Sequence, residues 1–363
     1  MEQVTPKQQG FMMPAEWEKH SAVWLAWPHD VTTFTQGIDK AELTFCQMIK
    51  TIEGSEKVEL LVLDNEMQSR VDRMLQEFGV DLSNVNFHQI HYGDVWMRDY
   101  GPSFLRNDIW VKWQYNVYGK AHEDAIYWAP LLKDNDVFDN LNLHGNKFEP
   151  GIIMEGGSIE VNGKGTLVTT EQCLLNLNRN PDLSREQIGQ YLDEYLGAKK
   201  IIWLRNGLVN DHTDGHIDDI VRFVSPSKIL CCYEEDENDE NYQNLKDNYD
   251  ALVNSSDQDG NSFEVIKLPM PHMRYEEGHS VHASGASDSA EEELPEKAAV
   301  SYANFYIANN VVLVPTYNDP NDAKALEIIQ SCFPDRKVVG IDCSNIIYGG
   351  GAIHCMTQQQ PVL

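Results

Sequence analysis

Short apolar strands recur along this chain at wide intervals, and that recurrence limits the fold more than any other feature. KVELLVLD starts near residue 57, DIWVKWQYN near 108, GTLVTTEQCLL near 165, SKILCCYEE near 227 and ANNVVLVPTYND near 308. The starts lie about 50 to 80 residues apart, and helical patterns fall between several of them. No motif aligns from unit to unit, so the repeat signal is weak at the level of residues. Five strand-and-helix modules close naturally around a central site, which makes the expected fold α/β. A doubly wound sheet is the competitor, but no glycine-rich loop of the dinucleotide or phosphate type follows the first strand.

The 363 residues suffice for one large domain or two and can bury a full core. Before Pro28 the stretch AVWLAW reads as a strand, with Trp24 and Trp27 expected in the core. Helices are expected from about Asp39 to Ile52, with Leu43, Cys46, Met48 and Ile49 as apolar positions, and from about Asn65 to Phe78. Two stretches read as irregular insertions, solvated loops or covers: 232–262, which opens on the acidic run from Glu234 to Glu240, and 274–299.

The formal net charge is −29. Such a field repels nucleic acid and anionic membranes and concentrates cations, although acidity also serves solubility alone. No apolar run approaches the roughly 20 residues of a membrane span, and the start of the chain lacks the basic and apolar regions of a secretory signal. Seven cysteines, odd in number and without a CxxC pair, point to the reducing cytoplasm and away from disulfide or zinc frameworks.

Near the end stands Gly349-Gly350-Gly351-Ala352-Ile353-His354-Cys355. Three glycines permit close backbone approaches, so Cys355 is expected on a sharply shaped loop. The tail Thr357-Gln358-Gln359-Gln360-Pro361 is too polar to suit a core strand. Three other segments are dense in polar residues: Gly93 to Pro102, Glu155-Gly156-Gly157-Ser158, and Asp211 to Asp219. Singly they have dull explanations: Arg98 and Asp99 as a surface pair, Glu155 as a turn acid, His212 as a cap. Together they offer a thiol, a histidine and several carboxylates, the equipment for nucleophilic attack on a cationic electrophile. Carboxylates match the planar donors of a guanidinium, whereas an ester or peptide would need oxyanion donors instead. His212 and His216, four apart, also suit zinc on a helix, but Gly215 and its polar neighbours argue against a helix there.

The stretches FMMPAEWEKHSAVWLAWPHD, GDVWMRDYGP, EGGSIEVNGKGTLVTTEQCLLNLNRNP, DHTDGHIDD and YGGGAIHCMTQQQP resemble the agmatine deiminase family of the guanidino-group-modifying superfamily. The resemblance covers nearly the whole chain and implies one catalytic domain over 1–363. It implies the pentein fold, a five-fold pseudosymmetric α/β propeller of ββαβ-type modules around a central site. The nucleophile then matches Cys355, the general acid/base His216, the glutamate beside it Glu155, and a guanidinium-holding carboxylate Asp218. Asp94 and Asp99 both lie in the matching motif for the remaining carboxylate, with Asp94 ahead. Trp96, Asp214, Gly350 and Gly351 are expected to line the substrate pocket. The implied activity is hydrolysis of a small cationic guanidine, agmatine, in putrescine biosynthesis, with no metal and no cofactor. Homodimers are common among similar proteins. Peptidylarginine and free arginine are the rival substrates. Free arginine would need a basic partner for its carboxylate, with Arg98, Arg179 and Arg205 as candidates. A non-catalytic cation-binding module and a metal-dependent hydrolase are readings of other classes.

Overall fold

The computed structural model describes residues 4–106, 108–121, 128–141, 143–275 and 298–362. It is a mixed α/β structure in which the described strands form five sheets. Four are three-stranded: Ser103–Phe104, Ile109–Val111 and Asn146–Phe148; Ile159–Val161, Thr166–Thr170 and Lys200–Leu204; Val221–Ser225, Lys228–Tyr233 and Glu264–Pro269; Tyr306–Ile307, Val311–Thr316 and Lys337–Asp342. Each consists of an antiparallel hairpin followed by a parallel third strand.

Parallel neighbours cannot be joined by a tight turn, so each third strand follows a crossover. Helices Arg185–Leu196, Tyr242–Val253 and Asp322–Cys332 serve three of these sheets. The fifth sheet has the order Gln358–Pro361, His20–Ala26, Lys57–Val62 and Val85–Gln89. Its hairpin partner comes from the far end of the chain, with Trp24 opposite Gln358. Helices Ile38–Ile52 and Asn65–Glu77 make its two crossovers.

Local chemistry explains the boundaries. Asp64 accepts the Met67 amide at the start of one helix, and Ser184 and Gln187 form a reciprocal capping box at another, which ends on left-handed Gly197. Central strands such as Thr166–Thr170 and Val311–Thr316 bury nearly every side chain, as strands covered on both faces do. Trp24 and Trp27 are both in the core.

Three expectations need correction. The segment 232–262 is not irregular, since it contains helix Tyr242–Val253, which buries Leu245, Asn248 and Leu252. Its apolar stripe is narrow, and its outer face is held by polar pairs one turn apart, Gln243 to Asp247 and Lys246 to Asp250, both at 2.7 Å. The acidic run before it begins with a buried Glu234 whose Oε1 accepts the amides of Glu235 and Asp236. Second, the polar tail does form a strand, Gln358–Pro361. Its amides are used: Gln360 accepts the Trp24 indole at 3.0 Å and Gln359 accepts Arg98 at 2.7 Å. Third, Leu43 faces outward at 54% exposure, because Phe45, Met48, Ile49 and Ile52 define the buried stripe. Of the second expected insertion, 274–299, residues 276–297 lie outside the described residues. Among the described residues no helix is long and apolar enough to cross a membrane.

Candidate active site

Cys355 sits in the turn between the glycine run and the strand Gln358–Pro361. Gly350 has φ 94°, and a Cβ there would lie 2.4 Å from His212 Cε1. At Gly351 a Cβ would come within 2.6 Å of Trp96 Cζ3 and 3.1 Å of Cys355 Cβ. The glycines are therefore the places where backbone passes flush against site side chains. Cys355 is itself buried; its Sγ is 3.1 Å from the Asn304 amide nitrogen and 3.7 Å from Asp218 Oδ2. Burial, then Asp218, Asp219 and Asp99, push the thiol well above its usual range, and the Asn304 hydrogen bond opposes them.

Asp218 is held by His354, whose Nδ1 lies 2.6 Å from Oδ2, while Asp218 Oδ1 has no hydrogen-bond partner among the described residues. Burial opposes its charge, yet His354, His216 and Arg222 keep the carboxyl below the usual range. His354 in turn meets Glu16 at 2.8 Å, and Arg222 pairs with Glu16 at 2.9 Å. Burial again works against Glu16, but Arg222 and His354 hold it well below the usual range.

His216 is fully buried, 3.7 Å from Asp99, and neither ring nitrogen makes a hydrogen bond among the described residues. Burial disfavours its charge, but Asp99, Cys173 and Glu155 outweigh it and hold the imidazole well above the usual histidine range. Asp99 accepts the Tyr118 hydroxyl at 2.8 Å and the Gly157 amide at 3.1 Å. Burial, set against His216, pushes Asp99 up to about 6. Asp94 is engaged by Thr33 at 2.7 Å, the Val95 amide at 2.7 Å and the Trp96 indole at 3.1 Å, and burial pushes it up to about 7. Arg98 and Asp99 are not a surface pair: both are buried, and Arg98 turns instead to Gln359 and the His354 carbonyl.

Glu155 gives Oε1 to Arg179 at 2.9 Å and leaves Oε2 without a partner among the described residues. Asp214 also pairs with Arg179 and accepts Asn178 at 2.9 Å, so its carboxylate supports Arg179. The structure thus brings Cys355 to Asp218 and His216 to Asp99 and Glu155, whereas Asp94 joins through Trp96.

Sequence reasoning missed Asn304, Tyr118, His354, Glu16 and Arg222. Asn304 takes the backbone amides of His354 at 2.9 Å and Cys355 at 3.3 Å on its Oδ1 while donating to the thiol. Its signal was a lone amide in the apolar stretch from Tyr302 to Ile307. Tyr118 adopts φ 56°, unusual for a bulky side chain, and packs edge-on to His216 at 5.9 Å.

A buried thiol, a histidine and a carboxylate with an unused oxygen, brought together on this α/β frame, suit nucleophilic attack on a cationic carbon, and its relatives place the chain among the deiminase hydrolases. A family model described as Porphyromonas-type peptidyl-arginine deiminase matches residues 12–361, and the chain belongs to that family. It is 39% identical to an agmatine deiminase of Ectopseudomonas mendocina, covering 98% of this chain and 97% of that one. It is 36% identical to an agmatine deiminase of Pseudomonas syringae pv. tomato, with 98% and 97% covered. A solved agmatine deiminase of Enterococcus faecalis superposes with a TM-score of 0.88 at 34% identity, covering 99% of this chain and 98% of that chain.

Proposed function

We propose that the chain converts agmatine and water to N-carbamoylputrescine and ammonia, through a covalent thiouronium on Cys355. The observation that carries this reading is the convergence of Cys355 with Asp218, whose Oδ1 is buried and unused. That oxygen is suited to a guanidinium N–H, with Asp99 or Asp94 as the second acceptor. The names of the relatives favour agmatine. So does the state of the arginines: Arg98 is engaged by Gln359 and Glu16, Arg179 by Glu155 and Asp214, and Arg205 is exposed. Neither of these two buried arginines is free to receive an α-carboxylate, and Arg222, also buried, is held by Glu16 and Glu160.

The acids around Cys355 keep the free thiol protonated, so the bound cation is what makes the thiolate accessible, and its proton is released on binding. Sulfur adds to the guanidinium carbon. His216 in its charged form protonates the departing nitrogen, the C–N bond breaks and ammonia leaves. The resulting neutral His216 takes a proton from water, whose oxygen bonds to the same carbon. Collapse forms the C=O bond as the S–C bond breaks, the hydroxyl proton passes to the departing sulfur, and the ureido product leaves with the thiol and the charged imidazole restored.

In this reading the five sheets are the blades of a pseudosymmetric propeller, residues 1–363 form one catalytic domain, and the enzyme works in the cytoplasm without a cofactor, supplying putrescine synthesis. Ammonia release from agmatine, free arginine and a blocked arginyl peptide, with and without chelator, tests it. Turnover of agmatine alone is expected, unimpaired by chelator. Turnover of the peptide alone would reassign the substrate, and silence on all three would remove the function. Cys355→Ala and His216→Ala are each expected to lose at least about 1,000-fold in kcat.

A further inference from the structure

Beside His216 lies a second thiol. Cys173, in the helical turn Glu171–Leu174, follows the buried strand Thr166–Thr170, and Thr170 caps its amide at 3.2 Å. Its Sγ, a Glu155 carboxylate oxygen and a His216 ring nitrogen all lie within 4.8 Å of one another. All three residues are fully buried. Three separate chain segments thus aim a sulfur, an oxygen and a nitrogen at one point. Two of these groups have unmet bonding capacity: Glu155 Oε2 and both nitrogens of His216 lack hydrogen-bond partners among the described residues. Buried polar atoms of this kind are normally satisfied, so a Glu155 oxygen and one His216 nitrogen beside the Cys173 thiol point to a ligand.

We propose that Glu155, Cys173 and His216 form an inhibitory site for a zinc-like divalent cation. The donor set is the one zinc takes, with ligand bonds of about 2.0 to 2.3 Å and an open fourth position for water. Tetrahedral closure brings the donors to roughly 3.5 Å from one another, from separations here that do not exceed 4.8 Å. Binding expels the Cys173 proton and one proton of the charged His216 to solvent, and leaves the thiolate and a neutral imidazole on the metal. Arg179 stays on Glu155 Oε1, so the metal takes Oε2. Occupancy withdraws His216 from proton transfer. That inhibitory consequence rests on the role proposed for His216; the binding itself does not. With every donor buried, onset is slow.

The test is cobalt, a coloured stand-in for zinc, added to metal-free Cys355→Ala protein. A thiolate-to-cobalt absorption band is expected in Cys355→Ala and is expected to vanish in the Cys355→Ala, Cys173→Ser double variant, with near-UV circular dichroism showing that both are folded. No band in Cys355→Ala, or a band that survives the double variant, overturns the proposal. With the intact thiol, zinc is expected to inhibit turnover slowly and chelator to reverse it. Cys173→Ser or Cys173→Ala, each referred to its own zinc-free rate, is expected to raise the inhibitory concentration at least about tenfold. An unchanged inhibitory concentration in both would place the metal elsewhere and refute the site.

Discussion

Replacing Gly157 with alanine probes the packing on which the chemistry depends. Gly157 has no left-handed backbone requirement, so alanine is conformationally allowed; the obstacle is space. Its added Cβ would stand 2.6 Å from His216 Nδ1, 2.9 Å from Asp99 Oδ1 and 3.1 Å from Asp218 Oδ2. The first distance is about 0.8 Å inside the 3.4 Å at which ordinary contact begins. All three neighbours are buried, so the imidazole has to move by most of that distance. Overpacking of this size costs about 1–3 kcal/mol of stability, which a protein of this size should survive folded. A misplacement near 1 Å in a catalytic group costs about 100-fold in rate, or roughly 2.7 kcal/mol of transition-state stabilisation. Gly157→Ala should therefore remain folded by circular dichroism, melt a few degrees lower, and lose about 100-fold in kcat/KM for agmatine, mostly in kcat. A variant that is folded and within about threefold of the parent would refute the placement of His216 and the reasoning with it.

Asn304→Ala removes the amide that faces the thiol and takes the side-chain acceptor from the buried Cys355 N–H, while the His354 N–H keeps the backbone carbonyl of residue 304 at 3.1 Å. It should slow alkylation of Cys355 by iodoacetamide about 10- to 100-fold at a fixed pH near 8, read by mass spectrometry. Glu16→Ala takes one carboxylate from buried Arg222 and His354, which keep Glu160 and Asp218, and leaves the Ile307 amide without its acceptor; a loss of about 3–5 kcal/mol in urea unfolding is expected, and a loss below about 1 kcal/mol would contradict the network. Asp94, held up at about 7 in the fold, titrates near 3.9 when unfolded. Between those values the folded protein keeps a proton the unfolded chain has released. Its contribution is thus intact below about pH 4 and falls as pH rises through about 7. Asp94→Asn should flatten that part of the stability profile between about pH 4 and 7 in urea titrations.

The residues legible in the sequence share one property: they sit in short runs where polar side chains and glycines exceed what a strand or loop needs. Cys355 behind three glycines, His216 and Asp218 in one run, and Glu155 on its diglycine turn are of that kind. The groups that support them are single polar residues in apolar surroundings, supplied from far away in the chain. Asn304 reaches Cys355 across 51 residues and Glu16 reaches His354 across 338, and a local pattern carries no trace of such a pairing. The strand modules were visible because Val, Ile and Leu runs are dense. Helix Tyr242–Val253 was hidden because only Leu245 and Leu252 mark its buried apolar stripe, with Asn248 between them. The glutamine strand was misjudged because polarity was equated with exposure, when an amide that finds an indole or a guanidinium is at home inside.

The pairing of Gln358–Pro361 with His20–Ala26 has a consequence for how the site is assembled. Trp24 and Gln360, joined at 3.0 Å, lie 336 residues apart in the sequence. The turn that carries Cys355 is therefore anchored by a pairing that no local segment can make, one whose loop-closure entropy must be met before the contact rewards it. Seating the sulfur is thus a property of the whole fold and not of the module that holds it.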